Sequence, residues 1–247
     1  MLKFVFITLA IGHVMSQQTL QVTDYCDSGL CKSPKHITCE MSAIQEKAAS
    51  GCARILPLDD EAKQAFVDAH NKKRNLIAGG EQPRFQSATK MSTVEWDQTL
   101  ADYALLNVMR CDFAHDCHSL PDMKFSGQNI AGDHGEDLKK IAYSAVENWY
   151  KEVDDSTQEN IDNCCDLKVG HFTQVVQARN NRIGCAVGII PYNGDQMTYI
   201  VCNYAFGNLA GKAYISGPPA SGCKSGSNPQ YPALCSSAEQ VDANDGH

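Results

Sequence analysis

No apolar run of about 18 residues follows the amino-terminal segment, so nothing in the chain reads as a bilayer-spanning helix. Cations are in the minority: 21 Lys and Arg against 29 Asp and Glu leave a formal net charge of -8. That balance excludes the basic footprint of a nucleic-acid-binding surface and any general attraction to anionic lipid. No Asn-x-Ser/Thr sequon occurs, so no N-linked glycan is expected. A Gly-x-Ser-x-Gly nucleophile elbow and a His-Glu-x-x-His metal helix are also missing. Ser126, Ser144 and Thr173 then qualify as nucleophiles only if the fold sets them against His115 or His171.

What the chain does have begins with a leader. Residues 1–16 carry one basic residue, Lys3, then the apolar run Phe4 to Ile11, with Val14 and Ser16 at the third and first positions before Gln17. This is the pattern of a secretory signal peptide cleaved near Ser16-Gln17, and loss of Lys3 would take the net charge from -8 to -9. The remainder holds all 12 cysteines, an even count that in an extracellular protein argues for disulfides. A zinc ribbon is the weaker reading, because Cys26-x4-Cys31-x7-Cys39 lacks the tight paired spacing of a finger. Roughly 230 residues can bury a core unaided, so the bridges serve resistance to unfolding more than folding itself. One main domain and a monomer are expected.

Residues 24–58, rich in Cys, Gly, Pro, Lys and Ser, read as a bridged loop, with a regular domain after Pro57. Asp59 or Asp60 can cap a helix with Ala62, Phe66, Ala69 and His70 at helical spacing, ending at Gly79-Gly80. A second helix is predicted from about Asp97, through Leu100, Ala104, Leu105 and Val108. A third carries Leu138, Ile141, Ala142, Ala145, Val146 and Trp149. Glu152 falls near the apolar face of that third helix, where a carboxylate needs donors, a cation or a proton. A short helix is expected around Gly170. Alternation through Ile183–Ile189 and Met197–Val201 predicts a hairpin turning over Pro191–Asp195, with Cys185 and Cys202 placed for a bridge. After Gly207 the chain is Gly-, Pro- and Ser-rich; Cys223 and Cys235 are the easiest local pair, and residues 236–247 read as frayed. Helices with a late antiparallel hairpin imply an α+β fold of helices on a small sheet.

Five segments then occur in a telling order: Ala69-His70-Asn71-Lys72-Lys73-Arg74, Val94-Glu95-Trp96-Asp97, Gly127-Gln128-Asn129-Ile130-Ala131, Gly170-His171-Phe172-Thr173-Gln174-Val175-Val176 and Tyr199-Ile200-Val201-Cys202-Asn203-Tyr204. Together they resemble the CAP superfamily (CRISP, antigen 5, pathogenesis-related 1). The amino-terminal cysteine cluster and Ala114-His115-Asp116-x-Cys117 look like the antigen 5 branch of insect venoms and saliva, dipteran in character. The resemblance implies a three-layer α-β-α sandwich with a central antiparallel sheet. It also implies an organisation into a signal peptide (1–16), a cysteine-rich extension (17–58), a CAP domain (59–212) and a short cysteine-containing tail (213–247). Bridges Cys26-Cys39, Cys31-Cys117, Cys52-Cys111 and Cys185-Cys202 follow by the same similarity, while the partners of Cys164 and Cys165 stay open.

The family cleft holds two histidines and two acidic residues, and motif matching carries it onto His115, Glu152, His171 and, where many relatives have Glu, Gln128. An amide can orient but cannot act as a base or an anionic ligand. His115, Glu152 and His171 either form a hydrogen-bond network or hold a divalent metal such as zinc; no cofactor is required. His118 and Asp116 read as loop-surface residues, and His70 as a packed one. The resemblance further implies a secreted, non-enzymatic effector and allergen. It would capture a small lipid such as an eicosanoid, fatty acid or sterol, or else block a host haemostatic, platelet, immune or channel protein. Metal-assisted hydrolysis is the third and weakest reading.

Overall fold

The computed structural model describes residues 3–11, 16–163, 166–208 and 211–244. Strands β1 (Phe4–Ile11) and β2 (Ser16–Thr23) pair as an antiparallel hairpin. Helix α1 (Met41–Ala49) and strand β3 (Arg54–Leu56) precede the long helix α2 (Asp60–Ala78). Strand β4 (Glu95–Trp96), helix α3 (Gln98–Met109), strand β5 (Gly127–Asp133) and helix α4 (Leu138–Lys151) follow. Helices α5 (Gln158–Asp162) and α6 (Gly170–Val175) lead into strands β6 (Arg182–Tyr192) and β7 (Asp195–Tyr204).

The predicted starts at Asp59 and Asp97 are borne out by their caps, and Asp137 caps the third helix in the same way. Asp59, Asp97 and Asp137 each accept from the backbone N–H three residues on, satisfying donors that a helix start leaves unbonded. The hairpin turn is tighter than the expected five residues: β6 continues to Tyr192, and Asn193 and Gly194 alone reverse the chain, both at positive φ. The main sheet runs β3-β6-β7-β5, antiparallel throughout, with the two residues of β4 added to β6 in parallel.

Strand alternation explains the three layers. Ile183, Cys185 and Val187 of β6 with Ile200, Cys202 and Tyr204 of β7 join a core with α2 and α4. Ala186, Ile190, Tyr199 and Val201 face Ala104 and Val108 of α3 instead. Gly184 is required where α3 crosses β6, because a Cβ there would overlap the Ala101 backbone nitrogen. Among the described residues five bridges are present, Cys26–Cys39, Cys31–Cys117, Cys52–Cys111, Cys185–Cys202 and Cys223–Cys235, and the last pair closes a loop of the tail. Cys164 and Cys165 lie outside the described residues.

Two expectations are corrected. Segment 24–58 is not merely a bridged loop, since α1 packs Met41 and Ile44 with Leu100, Tyr103 and Leu106 of α3, and β3 is a strand of the main sheet. The tail beyond Cys235 is not frayed through residue 244. Glu239 is buried and ion-paired with Lys90 at 2.8 Å, and Asn244 bonds to Lys124 and Pro121.

Arg74 is among the largest fully buried side chains of the described residues, with no exposure. Its guanidinium donates to five backbone carbonyls, those of Ser92, Val175, Gln177, Ala178 and Asn180. Burial pulls its pKa down to about 9, so it remains a cation at neutral pH, held by carbonyl dipoles. Arg74→Met should therefore leave several buried carbonyls without donors and destabilise the fold by about 3–5 kcal/mol, read as a lowered denaturant midpoint.

His70 and His36 are also buried, and burial is the largest cause holding both near pKa 4. Their folded values lie below the unfolded value near 6.5, so the unfolded chain binds protons first. Stability should fall as pH drops from about 6.5 towards 4, by up to ~1.4 kcal/mol per pH unit for each histidine. Urea unfolding at pH 7 and pH 5 checks this; equal midpoints would contradict the buried, neutral assignment.

Candidate functional site

The cleft residues arrive on separate elements. Gln128 and Asn129 are consecutive in β5 and so project to opposite faces of the sheet. On the α3 side, Gln128 Oε1 accepts from the Asp116 backbone N–H at 3.3 Å and from His115 Nδ1 at 2.9 Å. Its Nε2 donates to Asp116 Oδ2 at 3.1 Å and Asn203 Oδ1 at 3.0 Å, while Asn203 donates to Leu100 O. Both ends of the amide are used, and with Nδ1 donating, the neutral His115 ring has its proton there.

On the opposite side, a chain of donors runs from Asn129 Nδ2 to the Tyr204 hydroxyl, from that hydroxyl to His70 Nε2, and from His70 Nδ1 to Phe66 O. Asn129 also donates to His171 O, which fixes the start of α6 beside β5. Glu152, at the end of α4, is the carboxylate that needed donors, and it has two. Oε1 faces His171 Nδ1 at 2.6 Å, and Oε2 accepts from the Phe172 backbone N–H at 3.0 Å. That clasp ties α4 to α6 and orients an imidazole that is 37% exposed.

Asp116 and His118 are not loop-surface residues: their side chains are 1% and 2% exposed and meet at 2.8 Å. The amino-terminal segment buries them, through the bridge pairing of His36 with Cys117. Burial alone would raise the Asp116 pKa, but hydrogen bonds from His118, Asn107 and Gln128 outweigh it and hold it below the usual carboxylate range. His70 is fully buried in the donor chain.

Among the described residues no three of His, Cys, Asp and Glu come together as a donor set. The Glu152 oxygens are engaged, and position 128 offers a neutral amide whose oxygen already has two donors. As placed, Glu152 clasps His171 and Gln128 clasps His115. Among the described residues neither Thr173 nor Ser126 is bonded to an imidazole: Thr173 Oγ1 bonds to Val169 O, Gly170 O and Asn208, and Ser126 Oγ lies 3.3 Å from Ser119 Oγ. Ser144 makes no hydrogen bond to His115 or His171 among the described residues.

Arg74 and the Asn129–Tyr204–His70 chain were missed as functional scaffolding. The signal was available for Arg74, because Ala62, Phe66, His70 and Arg74 follow one another at four-residue spacing on one helix face.

A family model described as CAP, cysteine-rich secretory protein family, matches residues 67–204. Venom allergen-1 of Aedes albopictus is 34% identical, over 88% of this chain and 89% of that protein. Antigen 5 like allergen Cul n 1 of Culicoides nubeculosus is 32% identical, over 75% of this chain and 90% of that protein. Among solved structures, NaASP2 with Zn2+ aligns with a TM-score of 0.61 and 28% identity, over 72% of this chain and 97% of that one.

Gln128→Glu tests the amide's role. The change removes the donors to Asp116 and Asn203 and sets a carboxylate against the buried Asp116. It should lower stability by about 1–3 kcal/mol at pH 7. The deficit relative to the parent should shrink at pH 5 as the new carboxyl takes up a proton. Chemical unfolding at the two pH values reads both effects.

Proposed function

This chain belongs to the CAP, or cysteine-rich secretory protein, family, and from that premise we propose that it is a secreted, non-enzymatic effector of the venom allergen and antigen 5 type. It leaves the cell after loss of residues 1–16 and works in venom or saliva by binding rather than by turnover. Its ligand is a small lipid of the eicosanoid, fatty acid or sterol classes.

One observation carries the non-enzymatic reading. The two cleft imidazoles are oriented by Glu152 and Gln128, yet among the described residues no hydroxyl is hydrogen-bonded to His115 or His171 for either to activate. The amide at position 128 also removes one of the two carboxylates that an acid/base pair would use. Ligand capture is supported by apolar-lined space, including a cavity of about 490 Å³ at the tail, a size suited to a small molecule.

The rival is a protein surface that blocks a host haemostatic or immune target. Exposed Phe125, Leu167 and Ile215 favour that reading without naming a partner.

Recombinant protein and its His171→Ala form should both fail to hydrolyse unbiased peptide and ester libraries, while native mass spectrometry with sterols, fatty acids and leukotrienes should show a one-to-one complex. Turnover abolished by the substitution would overturn the non-enzymatic reading. A lipid panel with no complex would leave the protein-target reading in its place.

A further inference from the structure

The sequence holds a single Asn-Gly pair, Asn193-Gly194, and the fold sets it at the two positions that reverse the chain between β6 and β7. Both residues are exposed, and both take positive φ, 52° and 85°. Strand pairing stops at the rung of Tyr192 and Asp195, so neither residue of the turn belongs to the ladder. Among the described residues no hydrogen bond engages the Gly194 main-chain N–H or the Asn193 carboxamide.

These two groups are bonded neighbours with complementary reactivity, and asparagine is a thermolabile residue for that reason. A main-chain nitrogen closes on the carboxamide carbon of the residue before it when it is not donating elsewhere, when its own side chain leaves the approach clear and when water reaches both groups. Gly194 meets the second condition fully: it has no Cβ, and nothing lies within 4 Å of where one would stand. Asn71, Asn107, Asn129, Asn180 and Asn203 are the contrast, since all are buried with their side-chain amides hydrogen-bonded.

We propose that Asn193 is a deamidation site. Gly194 N gives its proton to solvent base and attacks Asn193 Cγ; the N–Cγ bond forms, the Cγ–Nδ2 bond breaks, and Nδ2 leaves as ammonia. Water then opens the cyclic imide. Cleavage of the bond from Gly194 N to Cγ yields aspartate, whereas cleavage of the bond from Gly194 N to the main-chain carbonyl carbon yields isoaspartate. The reaction consumes water alone. The two products differ in what they do to the hairpin. Aspartate adds a charge beside Asp195 but keeps the turn, because Asp tolerates the left-handed backbone as Asn does. Isoaspartate puts an extra main-chain atom into a turn of only two residues, so the Tyr192–Asp195 rung no longer closes in register. Tyr192 then loses its place against Phe113, whose ring centre is 5.3 Å away, while the Cys185–Cys202 bridge keeps the body of the two strands together.

Peptide mapping by mass spectrometry of the folded mature protein, after parallel incubation at pH 6 and pH 9, tests this. The Asn193 peptide should convert about tenfold or more faster than every other asparagine-bearing peptide, and faster at pH 9, because the attacking nitrogen must lose its proton. It should separate into aspartate and isoaspartate forms, the second accepting a methyl group from protein isoaspartyl methyltransferase. Asn193→Gln, whose ring would be one atom larger, should convert about tenfold or more slowly. The other asparagines of the parent give an internal reference that does not depend on how the variant folds. Conversion at Asn193 no faster than at those residues, an equal rate at the two pH values, an equal rate in Asn193→Gln, or aspartate formed without isoaspartate would overturn the proposal.

Discussion

The Arg74 guanidinium is the constraint on which the rest of the structure depends. A cation with no exposure is tolerable only if dipoles replace its water, and here five carbonyls from two separate segments do so. One of them, Val175, ends α6, and Gln177, Ala178 and Asn180 lie in the segment that follows it. The same side chain thus fixes the end of the helix that carries His171 and the start of the chain beyond it. Helix α2 is in turn held to β7 by His70 and Tyr204, so sheet, cleft helix and tail cavity share one anchored frame.

The cleft gains its character from how its acids are used. Glu152 is a clasp between α4 and α6 before it is anything else, because both oxygens are engaged. Gln128 has donors to give to Asp116 and Asn203 that a glutamate would lack. A buried aspartate beside it makes the amide the favourable choice, since two carboxylates at that spacing would force one to take a proton. The outcome is a polar cleft whose two imidazoles are oriented by Glu152 and Gln128.

Much of the scaffold was legible from local pattern. Helical spacing in α2, α3 and α4, aspartate caps at Asp59, Asp97 and Asp137, and alternation through β6 and β7 are each decided within a few residues. What escaped was decided at long range. Ile37, Met41 and Ile44 have the spacing of a buried face, but cysteines and turn residues around them masked it until α3 supplied the partner surface. Asp116 and His118 sit in a loop by any local rule and are buried by long-range partners, Asn107 of α3, Gly127 and Gln128 of β5 and the amino-terminal segment paired at Cys117.

Site-resolved hydrogen exchange on Arg74→Lys, which keeps the charge and removes the fork of donors, tests the anchoring role most directly. The account predicts that amides of Val176, Ala178 and Asn180 lose protection by more than about tenfold while those in the centre of β6 and β7 stay slow. Uniform loss across the sheet, or unchanged protection in the segment after α6, would contradict it.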